Sequence, residues 1–196
     1  MRVIAGEYRR RTLRSLQGLE IRPTSDRLRE TLFNVLCAGN AAALEGSVWF
    51  DLYAGTGAVG IEALSRGAGK VYFVDSSKAA AEVIAANLKS LRISSGFQIV
   101  KADAAKSLRQ LEAAGCIADC VFLDPPYSMQ GEYTKTLAAL APSKLLGERC
   151  IVIAEHQKRF DPGEASGELR RYRKLLQGDA ALSFYRREAL PLPASL

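Results

Sequence analysis

The chain is poor in the side chains that metal and redox sites need. It has one histidine, His156, and four cysteines, Cys37, Cys116, Cys120 and Cys150. No two of the cysteines form a Cys-x-x-Cys pair and their spacing matches no common zinc pattern, so no metal site is expected. Free buried thiols in a reducing cytoplasm are the simpler reading. No run of about 18 apolar residues occurs, which argues against a transmembrane helix. The opening residues, Met1 to Glu7, lack the apolar run and small-residue cleavage site of a signal peptide. Repeats and low-complexity segments are also missing. What is present is enough to fold: 48% hydrophobic and 24% charged residues in 196 exclude global disorder and suit one domain, with room for a short appendage.

The net charge is +6, and the excess is uneven. Arg2, Arg9, Arg10, Arg11 and Arg14 stand against Glu7 alone in the first 14 residues. A second run, Arg170-Arg171-Tyr172-Arg173-Lys174, lies near the other end, followed by Arg186-Arg187. Clustered positive charge is the footprint of a polyanionic partner, although a solvated basic face reads the same way.

Two short runs, Arg2 to Ala5 and Arg10 to Leu13, flank a Gly6-Glu7 turn signal and predict a small hairpin or an irregular arm. Pro23-Thr24-Ser25-Asp26 offers caps for a helix carrying Leu28, Leu32, Phe33, Val35 and Leu36, which Gly39-Asn40 stops. Strand-type runs then alternate with helical stretches. The strands are expected at 48–52, 71–74, 97–100, 120–123 and 151–154. The helices are expected from 61, after a Ser76-Ser77 cap, at 104–114 and at 132–140. Two final strands, 169–176 and 181–187, surround a Gly178-Asp179 turn. This pattern predicts an α/β fold: a mostly parallel sheet covered on both faces, with an antiparallel hairpin at one edge. Ligands bind beyond the carboxyl ends of such strands, at 51–57, 75, 103, 124–127 and 155–156.

Asp51 precedes a glycine-rich turn, Gly55-Thr56-Gly57-Ala58-Val59-Gly60, that opens a helix. The glycines allow a sharp turn and close approach of a ligand to the backbone. The string also fits the dinucleotide fingerprint G-x-G-x-x-G. A carboxylate at Asp51 would repel a pyrophosphate and attract the ammonium of a methionine moiety. Asp75, ending the second strand, can accept from both hydroxyls of a ribose. Asp103, after the third strand, can accept from an adenine amine or simply cap the helix that Ala104 begins.

Asp124-Pro125-Pro126-Tyr127 is the sharpest signal. The lone pair of a nucleobase amine is delocalised into the ring, so the amine is a poor nucleophile. A carboxylate on Asp124 and the carbonyl of Pro125 can accept its two hydrogens, the prolines stiffening the turn that holds them. Tyr127 offers a face for stacking the base, worth roughly 1–3 kcal/mol. The bland reading is an Asp-Pro turn after a strand.

These motifs together resemble class I amino-methyltransferases. Three longer stretches extend the likeness: Arg2 to Gly6 with Arg9 to Leu13, Arg22 to Asn34, and Ile61 to Ala68 resemble the bacterial RsmD-type family, whose members methylate guanine N2 in small-subunit ribosomal RNA. The resemblance runs through Leu182 to Arg187. It implies a Rossmann-like domain over 23–196 with seven strands, one of them antiparallel, and a basic arm over 1–22 for RNA, with Arg2, Arg9, Arg10 and Arg11 touching the nucleic acid. It also implies S-adenosyl-L-methionine as cofactor, held by Asp51, Gly55, Gly57, Asp75, Asp103 and Ala104. The target base would be flipped onto Asp124, Pro125, Pro126 and Tyr127. The partner would be ribosomal RNA or the small ribosomal subunit, the protein acting as a monomer in the cytoplasm. Asp75 stands where the family often has glutamate. Residues 160–167 match nothing usable. Three alternatives remain open: a DNA amino-methyltransferase, for which 196 residues leave no target-recognition domain, a nicotinamide-dependent oxidoreductase, and a non-catalytic RNA-binding module.

Overall fold

A computed structural model of the chain describes residues 1–16 and 25–188. The boundary expected between residues 22 and 23, and the Pro23-Thr24 part of the expected cap, lie outside the described residues. The first helix, α1 (Asp26–Leu36), starts at Ser25, whose side chain accepts from the Leu28 amide. An alternation of strands and helices follows: β1 (Val48–Leu52), α2 (Ala58–Ser65), β2 (Lys70–Asp75), α3 (Lys78–Leu91), β3 (Phe97–Lys101), α4 (Ala104–Ala113), β4 (Ala118–Leu123), α5 (Gly131–Leu140) and β5 (Leu146–Gln157). Ser77 caps α3 by accepting from the Ala80 amide. The chain then forms β6 (Ala165–Ser166), β7 (Leu169–Gln177) and β8 (Ala180–Arg187).

The strands form one sheet in the order β3-β2-β1-β4-β5-β8-β7-β6. The first five are parallel to one another, β8 runs antiparallel to β5, and the β7–β8 pair is the expected terminal hairpin. Among the described residues the sheet has eight strands where seven were expected. The extra one is β6, two residues that pair with Arg170 and Leu169. Gly163 and Gly167 bracket it and it is too short to show alternation. Its approach is fixed from elsewhere: Tyr185 donates to the Gly163 carbonyl at 2.8 Å, and Asp161 accepts from Arg171 and Lys174. β5 is also longer than the apolar run 151–154, because its pairing with β8 continues to Gln157.

Alternation splits the strand side chains between two cores. Trp49, Phe73, Phe122, Ile153 and Phe184 face α1, α2 and α3, where Phe33 stacks on Trp49 with ring centroids 5.4 Å apart. Phe50, Leu52, Val121, Val152 and Tyr185 face α4 and α5. Each such large apolar side chain contributes about 1.5–3 kcal/mol on burial. Among the described residues no helix is long and apolar enough to cross a membrane. Cys120 and Cys150 are buried, whereas Cys37 and Cys116 are only half-buried.

The N-terminal residues fold as an irregular hairpin: Arg2 bridges Thr12, and Val3 and Leu13 bury their side chains in the first core. The rest of the docking is polar. The buried Glu62 of α2 accepts from the Ile4 amide at 2.7 Å, from the Ala5 amide at 3.0 Å and from Arg66 at 2.8 Å. Ser65 donates to the Ala5 carbonyl and accepts from the Tyr8 amide. A Cβ at position 6 would sit 1.7 Å from the Ser65 carbonyl oxygen, with φ at +80°, so only glycine permits this approach.

Candidate active site

The carboxyl ends of β1, β2, β4 and β5 bring the chemistry together. Asp51 is buried on β1 and its Oδ2 accepts from the Gly60 amide in the first turn of α2 at 2.9 Å. Burial pushes its pKa up to about 8, the Gly60 hydrogen bond opposes the rise, and the charge of Asp75 adds to it. The turn that follows contains three left-handed residues, Tyr53 at φ +62°, Gly55 at +55° and Gly57 at +75°. Asp75 supports this turn: one oxygen accepts from the Gly55 amide at 2.9 Å and the other from the Ser77 amide at 2.8 Å.

The glycines of the turn do different work. A Cβ on Gly55 would enter open space, its nearest neighbour being the Tyr53 carbonyl oxygen at 3.9 Å. A Cβ on Gly57 would instead point inward, 3.1 Å from Ile84 and 3.2 Å from Phe73, and one on Gly60 would lie 2.4 Å from Phe73. Gly57 and Gly60 therefore let α2 lie close on the sheet, and Gly55 borders the open side of the loop. Gly55→Asn, which tolerates the left-handed conformation, is expected to weaken cofactor binding at least about tenfold, or ~1.4 kcal/mol, with little change in the urea midpoint. Gly57→Val is expected to lower the midpoint as well. Calorimetry beside denaturation checks both, and equal cofactor affinity in Gly55→Asn would refute the assignment.

Asp103 is exposed and caps α4, its Oδ1 accepting from the Lys106 amide at 2.8 Å, while Ala104 behind it is buried. The capping alternative is thus realised through one carboxylate oxygen.

Asp124 follows β4 beside Tyr53 on one side and Glu155 on the other, since Leu52 pairs with Leu123 and Leu123 with Ala154. Burial and the nearby charges of Glu155 and Asp51 hold its carboxyl well above the usual range. Pro125 is buried, and Tyr127 is partly exposed at the mouth of the turn. Buried Tyr133 of α5 donates to the Glu155 carbonyl at 2.7 Å and lies 3.5 Å from the Pro125 carbonyl, joining the Asp124–Tyr127 turn to β5. Tyr53 shares a hydrogen bond with Thr136 at 2.8 Å and donates to Glu132 at 3.2 Å. Glu155, Tyr133 and Tyr53 carry no motif. Positions 53 and 155 fall in the strand-end windows 51–57 and 155–156, and only Tyr133 has no such signal in the sequence.

The two basic runs separate in the structure. Arg2, Arg9, Arg10 and Arg11 are exposed on the arm. Arg2, Arg9 and Arg10 line a concavity of about 470 Å³ with Arg27, Asp26 and Glu30. Arg2 lies 3.6 Å from Asp26 and Arg11 donates to the Ser90 carbonyl. Arg9 and Arg10 have no acidic partner among the described residues. The later run is largely neutralised: Arg170 pairs with Glu188, Arg171 with Asp161 and Glu164, Lys174 with Asp161, and Arg187 with Glu168.

Comparison with known proteins agrees with this geometry. The family model described as Conserved hypothetical protein 95 matches residues 1–186. YlbH of Bacillus subtilis (strain 168) is 33% identical over 187 residues, covering 95% of this chain and 99% of the relative. Ribosomal RNA small subunit methyltransferase D of Escherichia coli (strain K12) is 30% identical over 189 residues, covering 96% and 91%. The solved structure of yhhF from Escherichia coli superposes with a TM-score of 0.79 at 30% identity, covering 97% of this chain and 99% of that one. With matches of this extent, on a sheet whose strand ends carry the glycine turn and Asp124 to Tyr127, the chain belongs to the Conserved hypothetical protein 95 family, that of ribosomal RNA small subunit methyltransferase D.

Proposed function

We propose that the protein transfers a methyl group from S-adenosylmethionine to the exocyclic N2 amine of a guanine in small-subunit ribosomal RNA. The observation that carries this reading is the meeting of two motifs at adjacent strand ends: Leu52 pairs with Leu123 in parallel strands, so the glycine turn after Asp51 and the Asp124 turn leave the same edge of the sheet side by side. The residues suit the cofactor. Gly55 leaves open space beside a backbone turn, Asp51 supplies a buried acid for an ammonium, and Asp75 presents a half-buried carboxylate for a ribose. Asp103 and Ala104 border the adenine. The cofactor supplies a methyl group already activated on a sulfonium. Asp124 and the Pro125 carbonyl hold the two amine hydrogens and stabilise the positive charge that develops on nitrogen, while Tyr127 stacks the base.

Mass mapping of ribosomal RNA from a deletion strain tests the reading. One guanine should lose a methyl group and regain it with the wild-type gene but not with Asp124→Asn. A full complement of methylated guanines in the deletion strain would end the proposal.

The arm carries the RNA backbone in this reading. Replacing Arg9, Arg10 and Arg11 by alanine is expected to flatten the slope of log K against log salt. The change is about 0.9 for each phosphate no longer neutralised, and so about 2 units if Arg9 and Arg10 each hold one. Binding isotherms across a salt series check this, and an unchanged slope would remove the arm from the interface.

A further inference from the structure

The arm and the cofactor loop meet at one side chain. Asn87 of α3 is fully buried, and both ends of its amide group are hydrogen-bonded. Its Oδ1 accepts from the Arg14 amide at 2.8 Å, and its Nδ2 donates to the Arg14 carbonyl at 3.2 Å and to the Thr56 carbonyl at 3.0 Å. Toward Arg14 it behaves as a strand partner would, and with its remaining hydrogen it holds the backbone between Gly55 and Gly57. A second contact runs beside it, from the Thr56 hydroxyl to the Met1 sulfur at 3.4 Å. A third path starts at Glu62, which grips Ile4 and Ala5 from the helix that Gly57 caps. The loop is therefore tied to the arm by hydrogen bonds through Asn87 and Thr56.

The geometry points to Asn87 as a positioning residue that couples RNA binding on the arm to cofactor binding in the loop. Phosphates neutralising Arg9 and Arg10 restrain the docked arm further. A seated arm holds the Arg14 backbone, and Asn87 passes that constraint to the Thr56 carbonyl, narrowing the loop to the form that accepts the cofactor. The coupling is positive, and linkage makes it reciprocal: each ligand tightens the other by the same factor. This inference rests on the arm being the RNA-binding element.

The test measures S-adenosylhomocysteine affinity by calorimetry, with and without a saturating in vitro transcript of small-subunit ribosomal RNA. RNA affinity is measured by anisotropy with and without S-adenosylhomocysteine. In the wild type, each ligand should tighten the other about five-fold or more. Asn87→Asp keeps the acceptor toward Arg14 but loses both donors. It should still bind each ligand alone, with the mutual effect reduced below about two-fold. Equal S-adenosylhomocysteine affinity with and without RNA in the wild type overturns the proposal, as does undiminished coupling in Asn87→Asp. RNA affinity unaffected by the Arg9, Arg10 and Arg11 replacement overturns it differently, by removing the arm reading on which it stands. Hydrogen exchange on the wild type needs no variant: RNA should slow the amides of residues 55–60 as well as those of the arm, and slowing confined to the arm counts against Asn87.

Discussion

Asp124→Asn is expected to slow methyl transfer roughly 100- to 1000-fold, or about 2.7–4 kcal/mol, while leaving the affinities for cofactor and RNA nearly unchanged. The loss falls on the transition state because positive charge builds on the amine nitrogen only as the methyl arrives. A carboxylate gains more from that change than an amide of the same shape. The environment adds a pH signature. Burial and the charges of Glu155 and Asp51 raise the Asp124 pKa well above the carboxylate range. Only the ionised form both accepts the amine hydrogen and offsets the growing charge, so the rate should rise with pH through that raised value. Glu155→Gln removes one of the raising charges and should move the acidic limb to lower pH. Single-turnover rates across pH, at saturating substrates, measure both effects. A full-speed Asp124→Asn enzyme would make the carboxylate structural. A limb unmoved by Glu155→Gln would deny that the two share a field.

Glu62→Ala should be the most destabilising single change on the arm side of the molecule. It leaves the Ile4 and Ala5 amides and the nearly buried Arg66 without their acceptor. Removing one member of a buried ion pair costs about 3–5 kcal/mol, a large share of the roughly 5–15 kcal/mol that holds a domain folded. Glu62→Gln retains one acceptor and should fall between. Urea midpoints order the three proteins, and a midpoint for Glu62→Ala within error of the wild type would mean that arm docking adds nothing to the fold.

The sequence made the alternation of strands and helices legible because the five parallel strands are short apolar runs with polar or glycine punctuation, and α1, α3 and α4 begin at Ser25, Ser77 and Asp103 caps. The site was legible where chemistry and local conformation coincide, as at Asp51, Gly55 and Asp124. It was not legible where a role depends on partners far along the chain. Ile4 and Glu62 are 58 positions apart and Arg14 and Asn87 are 73 apart. The Ile61 to Ala68 stretch reads as family likeness, and only the fold shows that Glu62, Ser65 and Arg66 are the arm's anchor. Glu155 looks like the polar end of an apolar run until register sets it beside Asp124. The Arg170 to Lys174 run looks like a polyanion site until Asp161, Glu164 and Glu188 close on it. Gly57 matches a ligand-contact motif, yet the missing Cβ is a packing requirement.

The two-residue strand β6 bears on how the protein behaves at high concentration. A sheet that ended on β7 would present the outward-pointing backbone groups of alternate residues along a nine-residue strand, a template on which another extended chain could add. β6 covers the Leu169–Arg170 end of that edge. Beyond it the edge carries Arg173 and Lys174, and a bulge between Arg171 and Arg173 breaks its regularity. Shortness, cations and a bulge are three ways of spoiling strand addition. The segment least informative in the sequence, 160–167, thus shields part of the sheet edge, and replacing it with a minimal turn is expected to expose that edge to intermolecular pairing.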